Sequence, residues 1–269
     1  MKQDFSALAK QYFKLGWCSF PSDEGIRNWV SHTLPVTKRI VNSAENSHWM
    51  RYQNTWFAGV NVLTNDAEGR VTDGPRLQGN ITEFINTILH LKTDNLDKGQ
   101  ISVCFSGYPK PMQAETEATF RYRLNRDAAH LDGLLAVGLQ RRRYLREPHS
   151  YILAIPLVES PKDAAPFVVW EKSHEIIKQE FQKIYNSIRQ DQWHDIDVTQ
   201  AYQEMRKHIF EHCRRVAISV SPGETYLVHR HCLHGMAPWP KTIPNTADGR
   251  MICYFRPHSI DIQSWLFDN

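Results

Sequence analysis

The chain of 269 residues lacks the marks of several large protein classes. Its five cysteines, Cys18, Cys104, Cys213, Cys232 and Cys253, are odd in number and form no Cys-x-x-Cys pair. That argues against a disulfide framework and for reduced thiols in a cytosol. No apolar run reaches the length of a membrane helix. The opening Met-Lys-Gln-Asp-Phe has no charged-then-apolar secretory pattern. A soluble, cytoplasmic protein is expected. Charge is nearly balanced, with 32 Lys and Arg against 29 Asp and Glu, and the resulting +3 is too mild to argue for nucleic acid. No basic-aromatic interleave accompanies the eight tryptophans, which are therefore expected in the core and in pocket walls instead of on a base-stacking platform. Repeats and low-complexity tracts are also missing. A chain this long can bury roughly three quarters of its unfolded surface, so one domain over residues 1–269 is expected.

What is present changes in texture near residue 100. Residues 1–95 read mostly as helix and loop. Phe5, Leu8, Tyr12 and Phe13 recur at helical spacing, as do Ile81, Phe84, Ile85, Ile88 and Leu89. Asn65-Asp66 and Asp73-Gly74-Pro75 punctuate turns between them. Short strands are predicted at Ile101–Phe105, Phe120–Leu124, Tyr151–Leu157, Phe167–Trp170, Arg215–Val220, Thr225–Val228 and Met251–Phe255. Two helices interrupt them, one with Ser173 as its expected N-cap and one starting near Thr199. Many short strands bracketed by turns suggest a closed sheet. The expected fold is mainly β with helical additions: a double-stranded β-helix (jelly roll, cupin-like) over 100–257, backed by N-terminal helices.

His130-Leu131-Asp132, the distant His234-Gly235 and Arg250 carry the chemical signal. A histidine and a carboxylate two residues apart point the same way along a strand. With a second histidine they can take one face of an octahedral iron and leave the remaining positions open. An arginine can then pair bidentately with a co-substrate carboxylate. Three ligands and one such anchor describe an enzyme using iron(II) and 2-oxoglutarate, with a small-molecule substrate and dioxygen as its partners. His229, His231 and His234 cluster, and His231 is an alternative to His234. The glycine after His234 favours that residue, because it lets the backbone turn beside a metal. His229 and His231 are then structural or support the ligands.

The wider pattern is more specific. His130-Leu-Asp132, Ala165-Pro-Phe-Val-Val-Trp-Glu-Lys-Ser173-His174, Ser221-Pro-Gly-Glu-Thr-Tyr, His234-Gly and Arg250 together resemble the phytanoyl-CoA hydroxylase-like family of iron(II)/2-oxoglutarate-dependent oxygenases. The resemblance covers roughly residues 100–257. It implies a dioxygenase with iron ligands His130, Asp132 and His234, and with Arg250 binding 2-oxoglutarate. Turnover in that family releases succinate and carbon dioxide as the substrate is oxidised. Family halogenases replace the carboxylate ligand by a small residue, so Asp132 implies hydroxylation or a related oxidation. The chain departs from the family in a longer His234–Arg250 segment, with an insert at Trp239–Asp248. It also has Met236 where a small hydroxyl residue is common. His174 in the Ser-His signature is expected to be a packing residue at a helix start and not a ligand.

Arg250-Met-Ile-Cys-Tyr-Phe-Arg256 also resembles the two-arginine spacing of AlkB-like nucleic-acid demethylases, which keeps Arg256 as an alternative co-substrate anchor. A cupin-like metal enzyme without 2-oxoglutarate is a second competing class, with no need for Arg250, and a non-catalytic binding jelly roll with a degenerate metal site is a third. Arg121, Arg123 and Arg126 before the motif, and Arg141, Arg142, Arg143 and Arg146 after it, form either a salt-bridged surface or a positive rim that steers anions. Trp56-Phe57 and Asn61 suit a pocket wall.

Overall fold

The computed structural model describes residues 4–113, 115–259 and 261–267. Its centre is two facing antiparallel sheets. The larger contains β1 (Trp17–Phe20), β2 (Met50–Arg51), β3 (Trp56–Gly59), β4 (Gln100–Cys104), β7 (Tyr151–Pro156), β10 (Thr225–His229) and β12 (Arg250–Phe255), in the order β1-β10-β7-β12-β4-β3-β2. The smaller holds β8 (Phe167–Trp170) between β11 (His234–Met236) and β9 (Arg215–Ile218). A hairpin of β5 (Leu134–Val137) and β6 (Arg142–Leu145) stands apart. This is the strand-rich jelly roll with helical additions that the turn-bracketed strands suggest.

Period-two alternation distributes the side chains among three layers. From β12, Met251, Cys253 and Phe255 join the core beneath the N-terminal helices, while Ile252 and Tyr254 pack between the sheets against Ile152, Phe167, Val169 and Tyr226. The outer face of the large sheet is covered by α1 (Ser6–Leu15), α2 (Glu24–Asn42) and α3 (Asn80–Thr87), through Tyr12, Ile26, Trp29, Phe84 and Ile85. Asp23 ties two of these helices together. One carboxylate oxygen accepts from Ile26 N in the first turn of α2, at 2.9 Å, and the other accepts from Asn80 N at the start of α3, at 3.0 Å. Behind the small sheet, α5 (Ser173–Tyr185), α6 (Thr199–His212) and α7 (Ile262–Phe267) pack Ile177, Phe181, Tyr202, Ile209 and Trp265 against Val168 and Trp170.

Three expectations are corrected. Residues 1–95 supply β1, β2 and β3 to the large sheet as well as helices, β1 pairing with β10 from Trp17↔Val228 to Phe20↔Thr225. Phe120–Leu124 is not a strand but lies in α4 (Glu117–Asn125). Its alternating Phe-Arg-Tyr-Arg-Leu is overridden by a Thr116 N-cap accepting from Thr119 N, and by the Glu117–Arg121 pair one turn apart. Ser173 is the first residue of α5 and not its cap, which is Lys172 in a left-handed conformation. The Ser173 hydroxyl instead accepts from Leu233 N at 2.9 Å, tying α5 to the segment that enters β11. No helix among the described residues is long and apolar enough to cross a membrane.

Candidate metal centre

His130 and His234 face each other across an isolated antiparallel bridge: His130 N donates to His234 O at 2.7 Å, and His234 N to His130 O at 3.1 Å. The bridge sets the two rings 4.5 Å apart, centroid to centroid. Each ring is oriented by its own neighbourhood. Nδ1 of His130 lies 3.0 Å from Ala128 O, and Nδ1 of His234 lies 2.9 Å from Cys232 O. A carbonyl can only accept, so each Nδ1 carries a proton, and each Nε2 is the nitrogen turned toward Asp132. Phe167 stacks on the His234 ring at 5.3 Å.

Asp132 completes the group. The residue before it is anchored by Leu131 N donating to the Tyr202 hydroxyl at 2.9 Å. The residue after it, Gly133, adopts φ 88°, where an added Cβ would meet Glu147 O at 2.8 Å. The ligand atoms of His130, Asp132 and His234 all lie within 4.8 Å of one another, and this is the one such histidine, cysteine or acidic group among the described residues. Burial alone would push the Asp132 carboxyl up. Arg256 and the two histidines outweigh burial and hold it well below the usual carboxylate range.

The cavity in front of these groups measures about 100 Å³. Trp56, Ile152, Phe167 and Met236 give it apolar walls, while Gln100, Ser102, Tyr254 and Arg256 supply polar ones. Trp56 Nε1 donates to Ser102 Oγ at 2.9 Å. Of the three expected wall residues only Trp56 lines the cavity. Phe57 is buried in the layer beneath the helices, and Asn61 is exposed. Gln100, Ser102 and Tyr254 are additions, brought to one face by the β4–β12 register Tyr254↔Gln100 and Ile252↔Ser102.

The remaining candidates separate. His231 is fully buried, edge-on to Trp265 at 4.4 Å, and stands outside the triad. His229 packs against His174 at 4.9 Å, and His174 Nε2 meets Phe13 O at 3.0 Å. Gly235 does not turn the chain beside the site. It lies in β11, so close to Asp127 that an added Cβ would come within 2.2 Å of the Asp127 carbonyl oxygen. That loop is held in turn by Arg215, which grips the Asp127 carboxylate with two hydrogen bonds of 2.7 Å.

Arg250 and Arg256 both lie on the inner side of the large sheet but in different surroundings. Arg256 lines the cavity, with Nη1 3.2 Å from Asp132 Oδ2. Arg250 is buried beyond Met236, with Nη1 3.8 Å from the Met236 Sδ, and it neighbours the Tyr226 and Tyr254 hydroxyls, which are 3.1 Å from each other. Among the described residues no carboxylate pairs with Arg250. The other arginines do not line the cavity. Arg121 pairs with Glu117 and Arg123 with Glu115, Arg126 lies over Phe210, and Arg142 pairs with Asp197.

No protein-family model matches the chain, and no curated protein matches it. Among solved structures it is similar to EctD from S. alaskensis with 2-oxoglutarate and 5-hydroxyectoine, at 11% identity over 94% of this chain and 76% of that one, with a TM-score of 0.47. It is similar to SnoK, a non-heme alpha ketoglutarate dependent carbocyclase from nogalamycin biosynthesis, at 15% identity over 96% and 88% of the two chains and a TM-score of 0.46. A third is AviO1 from Streptomyces viridochromogenes, at 12% identity over 97% and 98% and a TM-score of 0.43.

Proposed function

We propose that the chain is an iron(II)/2-oxoglutarate-dependent oxygenase of the phytanoyl-CoA hydroxylase-like kind, a single oxygenase domain that hydroxylates or otherwise oxidises a small organic substrate. One observation carries the reading. Two imidazole Nε2 atoms and a carboxylate converge within 4.8 Å, and the buried Arg250 guanidinium, with no carboxylate partner among the described residues, lies beyond Met236 of the cavity wall. A buried cation without an anion is costly unless a ligand supplies one.

The donor set fits iron(II): two histidines and one carboxylate on one side, with other positions left for ligands. Iron(II) held there supplies dioxygen activation coupled to oxidative decarboxylation of 2-oxoglutarate, giving succinate and carbon dioxide. The protein does the rest. His130, Asp132 and His234 fix the ligand face. Arg250, with the Tyr226 and Tyr254 hydroxyls, receives the far carboxylate of the co-substrate, and Arg256 holds one oxygen of Asp132. Trp56, Ile152 and Phe167 exclude water around the reacting substrate. Asp132 occupies the place a halide would need, so the product carries oxygen and not chlorine.

A cupin-like enzyme without 2-oxoglutarate would have no use for the buried Arg250. A nucleic-acid demethylase would be served by free cations at the cavity, yet Arg256 there pairs with Asp132, and Arg121, Arg123, Arg126 and Arg142 are engaged elsewhere. The test is succinate formation from 2-oxoglutarate with iron(II) and dioxygen, followed by a search for small molecules that stimulate it. No succinate from protein that has bound iron would sink the reading.

A further inference from the structure

The metal cavity and Arg250 are neighbours without being continuous. Met236 belongs to the cavity wall and Arg250 does not. The Met236 thioether stands between them, with Sδ 3.8 Å from Arg250 Nη1 and 3.0 Å from Cys104 Sγ. Burial pushes the Cys104 thiol up to about 12, so it stays neutral and offers the guanidinium no anion. A dicarboxylate running from the triad to Arg250 has to displace the Met236 side chain.

The main chain around Met236 is not free to yield. Met236 N donates to Asp127 O at 2.7 Å, Arg215 grips the Asp127 carboxylate twice, and Gly235 lies flat against the same loop. The side chain, by contrast, is held only by packing against Arg250 and the cluster of Cys104, Tyr108 and Trp239. Methionine is unbranched, has three rotatable bonds and adapts to irregular space, and Met236 is only half-buried.

We propose that Met236 is a specificity-determining residue for the co-substrate: its thioether rests against Arg250 and closes the passage to the metal centre, and it swings aside for a 2-oxo acid whose far carboxylate replaces it on the guanidinium. The proposal rests on the oxygenase reading. A weak sulfur acceptor is exchanged for a charge-assisted two-pronged pair. Affinity is lowered by the fraction of molecules that are open, and only for ligands long enough to reach Arg250. Pyruvate, a 2-oxo acid with no far carboxylate, needs no opening.

The experiment uses the full chain loaded with cobalt(II), which binds without turnover, and titrates 2-oxoglutarate and pyruvate by calorimetry. Met236→Ala binds 2-oxoglutarate about 10-fold more tightly than the parent chain if roughly a tenth of the parent molecules are open. Met236→Ile, stiff at Cβ, binds it more weakly, and pyruvate affinity stays within about two-fold in both, since it bypasses the gate. Met236→Thr replaces Met236→Ala if the latter does not fold. Unchanged or weaker 2-oxoglutarate binding in the small variants, or an equal shift for pyruvate, overturns the gate and leaves the oxygenase reading standing. Failure of every variant and the parent to bind 2-oxoglutarate, with cobalt in place, overturns both.

Discussion

Arg256 Nη1 lies 3.2 Å from Asp132 Oδ2, the oxygen that also approaches His234 Nε2 at 3.7 Å, while Oδ1 approaches His130 Nε2 at 3.5 Å. One carboxylate thus faces two rings and a guanidinium. The cation occupies one edge of Asp132 and restricts how the carboxylate can present itself to a metal.

That contact predicts an interplay between Arg256 and metal. Arg256→Met leaves a largely buried carboxylate without its cation, at a cost of about 1–3 kcal/mol in the metal-free protein. A divalent ion returns the missing positive charge. The rise in melting temperature on adding cobalt(II) is therefore larger in Arg256→Met than in the parent chain. Equal rises would show that the ion pair does not support Asp132.

The triad predicts which histidine matters for metal. His130→Ala, Asp132→Ala and His234→Ala each lose stoichiometric cobalt(II) or iron(II) while keeping their far-ultraviolet dichroism. His231→Ala keeps the metal and loses stability, because it leaves a hole against Trp265 and Phe181. Metal titration and denaturant melts read both. A His231→Ala protein without metal would reassign the ligand.

Arg250 is expected to act on the co-substrate alone. Lysine keeps the charge but not the two-pronged geometry. Arg250→Lys raises the 2-oxoglutarate dissociation constant about 10-fold or more, the scale of a lost charge-assisted hydrogen bond, and changes iron affinity little. The measurement is anaerobic titration of the iron-loaded protein. An unchanged constant would transfer the role to Arg256.

Acid should destabilise the fold through histidines remote from the metal. Burial lowers His174, and it lowers His229 and His231 well below their ordinary value, with Arg230 and Lys178 adding to the effect. The unfolded chain then binds more protons than the folded one below about pH 6.5. Stability is fully present above that pH and falls as pH drops through it, by up to about 1.4 kcal/mol per pH unit for each histidine that stays neutral. Urea midpoints at pH 7.5 and 5.5 test this, and His231→Phe should flatten the slope. A midpoint independent of pH across that range would contradict it.

The strands Tyr151–Pro156 and Arg250–Phe255 were legible because they are buried on both faces and read as unbroken apolar runs bounded by turns. The helix Glu24–Asn42 was equally open to reading, from its Asp23 cap and from Ile26, Trp29, Val30, Thr33 and Thr37 on its buried face, and it was missed. Phe120–Leu124 misled because alternation and a short helix cannot be told apart over five residues. His130, Asp132 and His234 were found through spacing, and the structure brings them together. The surroundings of Arg250 were not accessible in this way. Tyr226 and Tyr254 meet because each pairs with Ala154, from opposite sides of β7. Such a register between distant strands is set by the packed sheet and cannot be read along the chain.

The bridge between His130 and His234 joins two kinds of stability that are usually separate. Each histidine contributes a ring to the candidate centre and an amide to the other's carbonyl. Parting the backbones to free one ring breaks both amide contacts. If a bound ion leaves only when these backbones part, ion release and local opening of the segment around His130 share one rate. The His130 and His234 amides become natural clocks for it: their exchange with heavy water should slow on metal loading in step with the slowing of metal loss, while amides of the distant α2 keep their pace.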